Sequence, residues 1–151
     1  MSKPMRNRIW ATVAVFVAVS FAVRLRADDP KKPDGAVKES KLARDLVGTW
    51  ALAGTPDKVE EPPKAGGRLK FFTGKVWCIT QADPETGKVI FHHGGTYTLD
   101  GDDMAETIEY ANENTAQLIK ETNKFKVKVE GDTYTQIGQG NPYNEVWKRL
   151  K

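Results

Sequence analysis

LVGTW, residues 46–50, is the first place where apolar residues, a glycine and a large aromatic fall together in a strand-like run. Alternation puts Gly48, Trp50 and Leu52 on one face, with Val47, Thr49 and Ala51 on the other. A glycine on the same face as an indole leaves a gap beside a bulky ring. Near the far end, VWKRL at 146–150 is a second aromatic and cationic cluster, so the first and last strands are expected to close on each other.

Between these runs lie short alternating segments separated by turn residues. Strands are expected at about residues 46–53, 68–73, 75–81, 88–93, 96–99, 104–110, 123–130, 133–138 and 145–150, with Gly74 at a tight connection or bulge and Gly94-Gly95 between two of the strands. Asp83-Pro84-Glu85-Thr86-Gly87 is a strong turn signal, and DGD (100–102) and EGD (130–132) mark hairpins. Residues 55–67 carry three prolines and two glycines and read as an exposed loop. Residues 111–121 break the alternation and have room for one helical turn. Leu42 and Leu46, four apart, suggest a short helix over 36–45 that caps one end.

That order gives about eight strands joined mainly by short turns, with no long helices between them, so parallel βαβ units are not expected. The fold class is all-β: an antiparallel up-and-down β-barrel of about eight strands with a short N-terminal helix. Closure removes exposed strand edges, and eight strands suit an interior filled by side chains or holding one small ligand.

The start of the chain reads differently. Lys3, Arg6 and Arg8 precede a charge-free run from Ile9 to Val23. It is shorter than the roughly 20 residues of a membrane span and of the length of a signal-peptide core. Residues 1–27 are therefore expected to be a signal peptide cut after Ala22 or Ala27, making the protein periplasmic or secreted; an uncleaved N-terminal anchor is the alternative. Residues 28–41, beginning DDPKKPDG, read as a linker and the start of the short helix, and 42–151 as the barrel domain.

Without the leader the 23 basic residues lose Lys3, Arg6, Arg8, Arg24 and Arg26, leaving 18 against 20 acids, a net charge of −2. The basicity belongs to the leader, so nucleic acid is not an expected partner. Lys124, Lys126 and Lys128 alternate with Phe125, Val127 and Val129 and read as the wet face of a strand. Cys78 is the single cysteine, so stability must come from packing and closure, and its strand setting suggests an inert thiol.

The ordered motifs resemble a family. Gly48-Thr49-Trp50 matches the GxW signature of the first lipocalin strand, and Arg149 matches the arginine that in that family lies over this tryptophan. LVGTW (46–50), DPETGKV (83–89), GGTYTLDGD (94–102), ETIEY (106–110), KVEGD (128–132) and EVWKR (145–149) are similar to small exported bacterial lipocalin-like (calycin-type) proteins of unknown function. The resemblance covers nearly all of residues 46–150. It implies a barrel whose end is closed by Gly48, Trp50 and Arg149, and a small apolar or amphipathic ligand. The chain departs from lipocalins in lacking a cysteine pair and a long helix after the last strand.

Candidate ligand-binding residues follow from alternation. If Tyr97 points inward, so does His93, and the partner strand turns Met104, Glu106, Ile108 and Tyr110 inward. Glu106 then stands on an apolar face, where a carboxylate needs a partner or a ligand. Tyr134 and Gln136 share a face on a later arm and add a hydroxyl and an amide. His92 and His93 point to opposite sides and make no metal site together. No nucleophile elbow, phosphate loop or zinc motif is present, so no catalytic residue, metal or cofactor is assigned. The leading reading is an exported barrel that binds a small, partly apolar molecule, with no membrane association beyond export. The alternatives are a filled barrel that meets a protein partner and, behind it, a barrel isomerase, lyase or hydrolase using Glu106 or His93.

Overall fold

The computed structural model describes residues 39–151. The expected signal peptide and most of the linker lie outside the described residues. Helix α1 (Lys41–Leu46) is capped by Ser40, whose hydroxyl accepts from the Ala43 N–H at 3.0 Å. It is shorter than the 36–45 expectation, and its Leu46 is fully buried in the core, with Leu42 packed against it.

Strands β1 (Gly48–Thr55), β3 (Arg68–Phe72), β4 (Val76–Ala82), β5 (Val89–Asp100), β6 (Asp103–Ala111), β7 (Thr122–Glu130), β8 (Thr133–Gly138) and β9 (Glu145–Arg149) pair antiparallel, each with the next. β9 returns to β1, with Trp50 opposite Arg149 and Leu52 opposite Trp147. The eight strands therefore form a closed antiparallel barrel. The two-residue β2 (Lys58–Val59) pairs only with the end of β1, inside what reads in sequence as plain loop. A 3-10 helix (Glu113–Leu118) fills the break after β6.

Antiparallel order sorts the connections between the two ends. At one end lie α1, the Phe72-to-Val76 turn, and the two-residue hairpins at Gly101-Asp102 and Gly131-Asp132, whose glycines adopt φ of 61° and 59°. These are the turns that Asp-Gly signals mark. At the other end lie the longer connections: the 56–67 loop, residues 83–88, the 3-10 helix and residues 139–144.

The helix end is solidly filled. Trp50 packs on Tyr134, and Phe72 meets Tyr97 and Tyr134 edge-on at 5.1 and 5.7 Å. The Arg149 guanidinium lies 4.1 Å above the Trp50 ring. It also donates to the carbonyls of Val47, at 2.9 Å, and Asp45. The gap left by Gly48 is where it sits: a Cβ there would meet Arg149 Nη1 at 2.5 Å, and φ is +144°. On the outside, Lys126 pairs with Asp102 and Asp103, and Lys128 with Glu130, so the lysine alternation on β7 is a solvated face.

β5 corrects the sequence reading. Gly94-Gly95 does not divide two strands; β5 is one 12-residue strand that runs through both glycines. Opposite it, Gly95 pairs with Ile108 but Gly94 with Tyr110, leaving Glu109 as an extra residue. This is a β-bulge. A Cβ on Gly95 would lie 2.1 Å from the Thr107 carbonyl oxygen, so only glycine admits the approach.

Candidate functional site

The bulge decides which of the expected residues reach the interior. Alternation holds from Met104 through Glu106 to Ile108, which are 1%, 2% and 0% exposed. The extra residue then reverses it, and Tyr110, expected inside, is 41% exposed. Its ring lies across Gly94 on the outer surface near His92, with its hydroxyl 3.5 Å from the Trp77 carbonyl oxygen. An aromatic ring laid over a strand glycine covers backbone that would otherwise be bare. Tyr110 is therefore not part of an interior site.

Between the filled half and the loop end lies a cavity of about 260 Å³. Trp77, Ile79, Phe91, Phe125 and Leu118 form its apolar walls, the last from the 3-10 helix. Arg68, Lys70, His93, Glu106, Gln136 and Glu145 supply its polar groups, with Asn123 and Tyr143 completing the lining. Of the expected residues, His93, Glu106 and Gln136 line this space. Tyr97 and Tyr134 are buried but belong to the filled half, where they pack on Phe72.

The residue that sequence reasoning missed is Lys70. In RLKFF (68–72) the apolar Leu69 and Phe71 share one face, so a two-faced reading puts that face inward. The barrel does the reverse: Phe72 pairs with Gly48 and Lys70 with Trp50, both on the inner face of β1. Leu69 is accommodated outside because residues 61–67 fold over it, with Ala51, Pro62 and Pro63 lining the same groove. The signal was in the pairing with the GxW strand rather than in β3 itself.

Lys70 is 2% exposed, and its Nζ lies 2.6 Å from Glu106 Oε1. The contact is an ion pair, close in distance but not aligned as a hydrogen bond. Lys70 Nζ also donates to Gln136 Oε1 at 2.9 Å, and five aromatic rings, those of Phe72, Trp77, Phe125, Tyr134 and Trp147, surround it with centroids at 5.1–6.0 Å. Burial drives the Glu106 carboxyl above the ordinary carboxylate range, and the Lys70 charge opposes that rise.

The network continues toward the loop end. Tyr134, held protonated by complete burial, donates to Gln136 Oε1 at 2.7 Å. Gln136 Nε2 donates to Glu145 Oε2 at 2.9 Å, and Arg68 lies 4.0 Å from Glu145 Oε1. Arg68 also stacks on Phe91, its guanidinium carbon 4.4 Å from the ring centroid.

His93 stands apart from this chain of bonds. It is 7% exposed, edge-on to the rings of Trp77 and Phe91, and its Nδ1 is buried without a hydrogen-bond partner among the described residues. Burial first, and then the charges of Lys70, Arg68 and His92, lower its pKa to about 4. It is neutral at physiological pH.

A closed eight-strand antiparallel barrel, plugged at one end by an arginine over a tryptophan and hollow toward the other, defines a lipocalin-like fold. Among solved structures the fold is similar to a lipocalin-like protein from Bacteroides uniformis, with a TM-score of 0.53 and 16% sequence identity, covering 70% of this chain and 99% of that chain. It is also similar to an uncharacterized protein from Bacteroides eggerthii, with a TM-score of 0.51, 16% identity and the same coverage. No family model and no curated protein matches the sequence.

Proposed function

We propose that the barrel binds one small, partly apolar molecule in the cavity above the Lys70–Glu106 pair, and that it does so after export. The observation that carries the binding reading is the cavity itself. It joins apolar walls to the imidazole of His93, whose buried Nδ1 has no hydrogen-bond partner among the described residues. Buried polar groups are nearly always hydrogen-bonded, so an imidazole that lines such a space without a partner favours an occupant able to hydrogen-bond. At about 260 Å³ the cavity falls just below the ~300–1,000 Å³ of sites for drug-sized ligands, which favours a smaller molecule. Export rests on the apolar run from Ile9 to Val23 behind a basic head.

Native mass spectrometry of the protein purified gently from its host tests the reading. A reproducible extra mass is expected, lost on denaturation and lost in Ile79→Trp, which fills the cavity. A bare mass, repeated after exposure to a lipid and metabolite extract, would mean that the barrel is a structural core only. The mass of the mature protein in the same spectrum shows whether and where the leader is cut.

A further inference from the structure

Each charge bordering the cavity is already engaged. Lys70 is held by Glu106 and Gln136, Glu145 accepts from Gln136, and Arg68 donates to Gln81 at 3.2 Å while facing Glu145 and Phe91. Two cations and two carboxylates cancel. An ion entering this space sheds its hydration and meets no free counter-charge, and an uncompensated buried charge costs several kcal/mol.

His93 offers the opposite condition. A neutral imidazole has one nitrogen that donates and one that accepts. A hydroxyl both donates and accepts, so it pairs with the imidazole in either tautomer. The rings of Trp77 and Phe91 flank the imidazole at 5.5 and 4.8 Å, so a group bonded to it is bordered by aromatic faces and edges. Planar rings gain most from such walls.

We infer that the ligand is an uncharged aromatic molecule bearing a hydroxyl, a phenol-type compound, with its hydroxyl on the His93 imidazole and its ring between Trp77, Phe91 and Phe125. This deepens the binding reading above and rests on it. Charge and hydroxyl are the two properties that the cavity selects.

The test is calorimetric titration of the whole protein at pH 7 with p-cresol, toluene, benzoate and benzylamine. p-Cresol is expected to bind about tenfold or more tighter than each of the others, the worth of one buried hydrogen bond. His93→Phe should bring p-cresol down to the level of toluene while toluene binding persists, and His93→Gln, which keeps a hydrogen-bonding group, should retain the preference. Benzoate or benzylamine binding as tightly as p-cresol would overturn the inference, as would equal affinity for p-cresol and toluene. Failure of all four probes, with an adduct still present in native mass spectrometry, would overturn the ligand class and leave the cavity reading standing. Failure of both would remove that reading too.

Discussion

Replacing Lys70 by methionine tests whether the interior is organised around a charged pair. The two side chains are 2% and 3% exposed and their charged atoms lie 2.6 Å apart. At an effective dielectric of ~20, opposite charges at that distance attract by about 6 kcal/mol. Removing each ion from water costs several kcal/mol, so the intact pair contributes little net stability. Breaking it is a different matter. Lys70→Met leaves Glu106 buried beside apolar walls and leaves Gln136 Oε1 with Tyr134 as its one remaining donor. The expected loss is about 3–5 kcal/mol, a large part of the ~5–15 kcal/mol that holds a typical domain together. Glu106→Leu should cost less, because Lys70 keeps Gln136 and its five rings. The double variant Lys70→Met, Glu106→Leu should lie within about 1 kcal/mol of the parent, since apolar replacement of a whole buried pair is often neutral. Urea unfolding followed by tryptophan fluorescence reads all four proteins, because Trp50, Trp77 and Trp147 are buried. Additive losses in the double variant, or a loss under about 1 kcal/mol for Lys70→Met, would refute the reasoning.

Two further outcomes follow from the plug and from the histidine. Gly48→Ala forces a Cβ to within 2.5 Å of Arg149 Nη1 at a φ that side chains rarely adopt; it and Arg149→Met should each cost about 2–3 kcal/mol in urea midpoints, and the pair together less than the sum. His93 has a folded pKa of about 4 against an ordinary 6.5. The unfolded chain therefore takes up the proton first, and the stability due to the neutral imidazole is full above 6.5 and lost as pH falls toward 4. Between pH 7.5 and 5 this amounts to up to about 2 kcal/mol, and His93→Gln should flatten that part of the pH profile.

Much of the fold was legible because β-hairpins are local. The alternation of residues 123–130, the Asp-Gly and Gly-Asp turns, and the polar spacers each report on their own neighbourhood. The arginine plug was legible from the resemblance carried by Gly48, Trp50 and Arg149. The site was legible only in part: His93, Glu106 and Gln136 line the cavity, whereas Tyr97 and Tyr134 are in the filled half and Tyr110 is outside. The Tyr110 error has a single cause, one unpaired residue at Glu109, which inverts every side chain beyond it.

The sequence by itself determined the strand order, the hairpin turns and the closure of the first strand on the last, since these depend on periodicity, turn chemistry and matched end residues. Tertiary structure alone decided that Lys70 turns inward while Leu69 turns out beneath residues 61–67, and that the cavity lies at the loop end. Those choices depend on register between strands distant in sequence and on which surfaces another segment covers. An ion pair between β3 and β6, 36 residues apart in the chain, exists only once the barrel has closed and brought both side chains into the same interior.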